Sequence, residues 1–318
     1  MADLTTYKNN MEEHLPDELF VIEDAGKEPL VEKSSRKRVN YWQDVWRRLK
    51  QNKLAIVGLV MLVILCIFVI FGPMMSGYEF TEIDPVAKNS PPSANHWFGT
   101  DDLGRDLFAR VWQGGRASML IGLVGALVST VVGIIYGSIS AYFGGAIDNI
   151  MMRIVEILIS VPYLIIVILI SVITDSHSLG TMLVALTLTG WCGTARLIRG
   201  QILQLREQEF VLAATALGVS PLKIILKHLI PNTLGLIIVG ITFDIPGYIF
   251  SESFLSYIGL GIQPPETSWG ALASAAQVNF RFYPYQLFLP SLMIALTMLS
   301  FTLLGDGLRD ALDPKLRQ

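Results

Sequence analysis

The sequence predicts an all-α polytopic membrane protein with six spanning helices, and three observations carry that expectation. Of 318 residues, 52% are hydrophobic and only 16% charged, against about 25% charged in a typical soluble domain; mean hydropathy is +0.51. Six apolar stretches recur along the chain, each near the roughly 20 residues that a spanning helix needs. Lys and Arg gather on alternate sides of those stretches. The length suits one domain of several spans rather than two independent ones.

Taken in order, the chain opens on a tail, residues 1–53, whose charges are segregated. Residues 1–32 hold nine acidic side chains against Lys8 and Lys27, with the few large apolar residues of a disordered segment. Residues 33–53 hold eight basic side chains against Asp44. Tyr41, Trp42 and Trp46 make this stretch an interfacial segment, with aromatics at headgroup level. A basic run also suits nucleic acid, but adjacency to a span makes membrane topology the stronger reason, and no nucleic-acid partner is expected.

The first spanning helix is assigned to residues 54–76. FGPMMSGYEF offers no small-residue cleavage site after it, so it is read as an uncleaved helix rather than a signal peptide. Residues 77–116 form a long external loop in which Pro85, Pro91 and Pro92 interrupt any helix. Thr100 or Asp101 is expected to cap a short amphipathic helix there. A membrane core follows, residues 117–305. Ala117–Ile147 is the second span, and Gly122, Gly125 and Gly133 suit it to close helix–helix approach. Ile157–Thr174 is the third, kinked by Pro162. Ser178–Ala195, Asn232–Tyr257 and Phe282–Gly305 complete the six, before a C-terminal tail, residues 306–318.

With alternating sides, and counting from Lys33 onward, 17 Lys and Arg fall with the termini and 5 on the other side. The positive-inside rule then makes the protein multi-pass with both termini cytoplasmic. Residues 201–231 become a cytoplasmic segment. Its core, QEFVLAATALGVSPLKIILKHLIPN (Gln208–Asn232), reads as two short helices. The first spans about Arg206–Leu217, and Gly218 stops it in the left-handed conformation that glycine enters without steric cost. Ser220 is the N-cap of the second and Pro221 its first residue. Leu222, Ile225, Leu226 and Leu229 form its apolar stripe, and Pro231 closes it.

Charges inside the spans need a reason, since a central carboxylate costs about 2.5–3.5 kcal/mol on insertion scales. Arg153 and Glu156 fit an i,i+3 pair at the inner interface. Asp244 and Glu252 lie about 12 Å apart along the fifth span and nearly on one face. They either line a translocation path, meeting a polar or cationic part of a substrate, or hold packed subunits in register by hydrogen bonds.

Enzyme chemistry finds no support. His14, His96, His177 and His228 are scattered, and Cys66 and Cys192 each lie alone in apolar runs. There is no Gly-x-Ser-x-Gly elbow and no phosphate-binding loop. No catalytic residue, metal site or cofactor of this chain is expected, so energy for any transport must come from another chain.

Three motifs carry a family resemblance. Ala213, Ala214, Gly218 and Pro231 fall in register with a Glu-Ala-Ala, three residues, Gly, nine residues, Ile-x-Leu-Pro pattern, from which Leu212, His228 and Ile230 depart. Gly99, Thr100, Asp101, Gly104, Arg105 and Asp106, followed by Arg110, Gly114 and Arg116, match a segment before the second span. Glu252 in SESFLSYIGLG, with Pro264, Pro265, Ser268, Trp269 and Gly270, makes the third. From about Trp97 onward the chain resembles the C-type permease subunits of oligopeptide/dipeptide/nickel ABC importers, with residues 1–53 outside the resemblance.

The resemblance implies a type I ABC importer permease fold in a bacterial cell membrane. It implies a second homologous permease, two ATP-binding-cassette ATPases carrying ATP and Mg, and an extracellular substrate-binding lipoprotein. Ala213, Ala214, Gly218 and Pro231, with Ser220 and Pro221 at the turn, would be the ATPase-coupling residues. Peptides are the implied cargo, with dipeptides or nickel as alternatives. An ion-coupled secondary transporter using Asp244 and Glu252 is the rival class, and it leaves residues 208–231 unexplained. A membrane scaffold is the remaining reading.

Overall fold

A computed structural model describes residues 41–313; the acidic tail and the last residues of the C-terminal tail lie outside the described residues. The fold is all-α, and among the described residues the one β pairing is an isolated bridge between Thr100 and Asp106. α1 (Tyr41–Gln51) is amphipathic, burying Val45 and Leu49 while Trp46 stays exposed. Asn52 starts α2 (Lys53–Phe71), its side-chain oxygen accepting from the Ala55 N–H at 3.2 Å. α2 is apolar on every side, and Val57, Val60, Val63 and Ile67 remain about half exposed, as a lipid-facing helix requires. Its inner side packs on the last helix, α11 (Pro284–Leu312).

α3 (Leu107–Phe143) has 37 residues, about 55 Å at 1.5 Å per residue. It therefore projects well beyond a hydrocarbon core of about 30 Å. The helix begins at Leu107, ahead of Ala117, because Asp106 is the cap: its carboxylate accepts from the Ala109 N–H at 2.8 Å. Thr100 and Asp101 cap no separate helix; they fold the loop instead. The Asp101 carboxylate accepts from the N–H groups of Leu103 and Arg105 at 2.9 and 3.0 Å and from the Arg105 guanidinium at 2.7 Å.

The third span differs most from expectation. α4 (Gly145–Ser160) and α5 (Tyr163–Thr174) are separate helices bent by 81°. Pro162 does more than kink: it drives Val161 to ψ 123, the extended backbone that a residue before proline prefers. Among the described residues, five helices are long and apolar enough to cross a membrane, and α4 with α5 makes a sixth only as this broken pair.

α6 (Leu179–Arg206), capped by Ser178, packs closely on α3. A Cβ on Gly133 would come within 2.7 Å of the Thr194 Cβ, so glycine allows the two backbones to approach. Gly122 and Gly125 likewise face Ile249 and Tyr248. Near the C-terminal ends of α3 and α6, Arg199 grips Asp148 with two nitrogens, each at 2.5 Å, and Ser140 also donates to that carboxylate. Arg206 donates to the Ala141 carbonyl at 2.9 Å, a cation at the C-terminal end of α3. Asp148→Ala strands Arg199 in a half-buried site and is expected to cost about 1–3 kcal/mol. Thermal unfolding of the detergent-purified protein reads this as a lower midpoint; an unchanged midpoint would remove the pair from the stabilising contacts.

Candidate functional site

The segment after α6 folds on a buried seat. α7 (Glu209–Ala216) ends where Gly218 takes φ +74. The Gly218 N–H bonds to the Thr215 carbonyl at 3.0 Å and the Val219 N–H to Ala214 at 3.1 Å, the paired bonds of a left-handed C-cap. A Cβ on Gly218 would meet nothing within 4 Å. The demand for glycine is therefore conformational, not steric. Ser220 precedes α8 (Pro221–Ile224) but its hydroxyl makes no capping bond; its carbonyl receives the Ile224 N–H at 3.0 Å.

Pro231 does not close the second helix. α8 passes through a π-helical turn, Ile225–Leu229, directly into α9 (Ile230–Tyr257). In this turn the Ile230 N–H reaches the Ile225 carbonyl. The wider turn re-phases the ladder so that Pro231 falls in the first turn of α9, where a missing N–H is harmless. The apolar stripe also divides. Ile225 and Leu229 are buried together with Ile224, which the spacing argument missed, whereas Leu222 and Leu226 are 66% and 55% exposed. Val211 and Ala214 complete the seat against Ala141, Ile198 and Ile202. Ala214 thus anchors the segment, while Ala213 is exposed. Leu212, Leu217 and Leu222 form an outward apolar rim, with Leu217 84% exposed.

The other matched motifs converge at the opposite end. Glu252 is fully buried, and its carboxylate accepts from Ser118 at 2.9 Å, Ser256 at 2.8 Å and Ser253 at 3.3 Å. Ser118 also accepts from the Trp269 backbone N–H at 3.2 Å. Trp269, fully buried, donates its indole N–H to the Val111 carbonyl at 2.8 Å. Ser268 caps α10 (Trp269–Gln277) through the Ala271 N–H at 3.1 Å. This cluster ties α3, α9 and α10 together. Ser268 was among the matched residues, but Ser118, Ser253 and Ser256 were not singled out; the one available signal was polar residues beside matched motifs in apolar surroundings.

Asp244 and Glu252 therefore part company. Glu252 is buried and finds its hydrogen-bond partners within this chain. Asp244 is half-buried and lines a cavity of about 170 Å³ with Thr130, Gly190, Gly193, Thr194 and Gly240. Arg153 and Glu156 pair at 2.9 Å on an exposed surface, as their spacing predicts.

Comparisons with known proteins agree with this architecture. Residues 109–318 match the family described as binding-protein-dependent transport system inner membrane component. Residues 40–92 match the N-terminal TM domain of oligopeptide transport permease C, so the likeness begins well before Trp97 and includes the later part of the basic segment. The dipeptide transport system permease protein DppC of Bacillus subtilis is 48% identical over 98% of each chain. OppC, the oligopeptide transport system permease protein of the same organism, is 47% identical over 90% of this chain and 94% of its own. OppC of Escherichia coli is 42% identical over 86% and 91%. Among solved structures, the inward-facing MetNI methionine ABC transporter aligns with TM-score 0.53 at 18% identity, over 63% of this chain and 95% of that one, which shows the shared importer-permease fold. The chain belongs to the binding-protein-dependent transport system inner membrane component family, within its OppC/DppC permease branch.

Proposed function

We propose that this chain is one of two permease subunits of an ATP-driven bacterial importer for peptides, with both of its termini in the cytoplasm. The observation that carries the reading is the segment 208–231: an exposed apolar rim on a buried seat, continuous with a spanning helix. Such a rim facing water is unfavourable unless a partner covers it. A cytoplasmic ATPase is the partner that this family's architecture supplies. Ala213, Gly218, Ser220, Pro221 and Pro231 shape or line the contact, and Ala214 holds it on the body of the protein.

Closure of two ATPases around ATP and Mg would move this segment and, through α9, the helices around the path. A second permease would form the other wall, and an extracellular binding lipoprotein would deliver the solute. The peptide assignment rests on the names of the OppC and DppC relatives, which leave short and long peptides both open. Leu217→Cys is the direct test, since Leu217 is the most exposed apolar residue of the segment. It is expected to cross-link to a co-purified ATPase in a nucleotide-dependent way. Absence of any cross-link in an intact complex would sink the coupling role.

A further inference from the structure

We infer that the cavity between α3, α6 and α9 is a binding site for the primary ammonium group of the transported solute. Asp244 supplies the one carboxylate, and Thr194 lines the same cavity. Thr130 is 3% exposed, lines the same cavity, and its hydroxyl has no hydrogen-bond partner among the described residues. A threonine in a helix ordinarily bonds back to the carbonyl three or four residues earlier. This hydroxyl does not, and it stands in the cavity's wall without a partner among the described residues.

The acceptor set decides the class of ligand. One carboxylate and two hydroxyls match the three donors and single charge of an ammonium head. A divalent metal would need six or more oxygen ligands and more charge. Leu236, Ile237 and Ile241 give the cavity apolar walls, which exclude water and strengthen an ion pair. Access is open: a Cβ at Gly193 or Gly240 would meet nothing within 4 Å. An ionisable residue held at mid-span calls for a partner, and a passing amine supplies it. The assignment to the solute, though not the cavity's preference for a cation, rests on the importer reading.

The test uses the complete importer with Cys66→Ala, Cys192→Ala and Gly193→Cys. Its labelling rates are compared for a methanethiosulfonate bearing a primary ammonium and an uncharged one of similar size. The ammonium reagent is expected to react at least about tenfold faster, and Asp244→Asn should bring the ratio near one, with Thr130→Val in between. In proteoliposomes, Asp244→Asn should also raise the KM for uptake of trialanine at least about tenfold, with Asp244→Glu restoring part of it. Equal labelling rates would overturn the site. So would suppression of the ratio by millimolar sodium, which assigns the carboxylate to an inorganic ion. Unchanged trialanine kinetics in Asp244→Asn would remove it from the solute's route. If the unmutated importer takes up no peptide, the peptide reading fails alone, and the labelling ratio still decides the cavity.

Discussion

Trp269→Ala is expected to yield almost no folded, assembled protein. The residue is fully buried among Leu65, Val69, Phe108, Val111 and Leu272. Truncating a buried tryptophan costs about 3–5 kcal/mol, a large part of the stability of an ordinary domain. The indole also donates to the Val111 carbonyl, tying α10 to α3, and truncation removes that bond. Its backbone N–H bonds to Ser118, which serves Glu252, so disorder at α10 spreads to the buried carboxylate. Trp269→Phe keeps most of the ring and loses the hydrogen bond, at about 1 kcal/mol plus a small void. Size-exclusion profiles after mild detergent extraction should rank parent, Phe and Ala in that order. A monodisperse Ala variant at parental yield would show that the cluster does not hold the outer end.

Gly218→Val is expected to separate ATP hydrolysis from uptake. Left-handed backbone costs an ordinary residue about 1–2 kcal/mol, and a β-branched side chain is a genuine outlier there. Because the Cβ position is open, the variant is expected to fold, with the strain relieved by turning α7 relative to α8. That turn displaces the rim formed by Leu212, Leu217 and Leu222 while the buried seat stays filled. Uptake in reconstituted importer should fall at least about tenfold while ATP is still hydrolysed, since a misplacement of about 1 Å can cost a hundredfold. Gly218→Asn, a residue that visits this conformation more readily, should lie between. Parental uptake by the Val variant would remove Gly218 from the coupling machinery.

Much of this was legible in the residues because it depends on local rules. Gly218 and Pro221 mark a stop and a start by backbone chemistry alone, and the structure places them so. The glycines of α3 signalled close packing, and it is found against Thr194, Ile249 and Tyr248. Other features depend on partners far along the chain. Asp148 and Arg199 are 51 positions apart, and no periodicity pairs them. Which of Leu222, Ile224, Ile225 and Leu226 turn inward depends on where α6 lies, and the π turn rotates that face away from a simple 3–4 count. Pro231 and Pro162 look alike in sequence as helix breakers. The first is absorbed by a widened turn and the second breaks a span, a difference set by the backbone on either side. Glu252 and Asp244 likewise share a helix, and only packing assigns one to an enclosed cluster and the other to an open cavity.

The unbroken run from Pro221 to Tyr257 has a mechanical meaning. It is 37 residues long, about 55 Å at helical rise. One end is clamped through Glu252, Ser253 and Ser256, while the other stands beside the exposed leucines. On the proposed coupling role, a rod held at the first end and pushed at the second swings about the clamp, so the largest stroke would fall beside the leucines and a smaller one at Asp244, part-way along. The π turn is one compliant joint of this lever, and Pro246, inside the helix between Asp244 and Glu252, is a second. Stiffening or loosening it would change how much of each push arrives at the cavity, without altering a single residue that touches either ATPase or cargo.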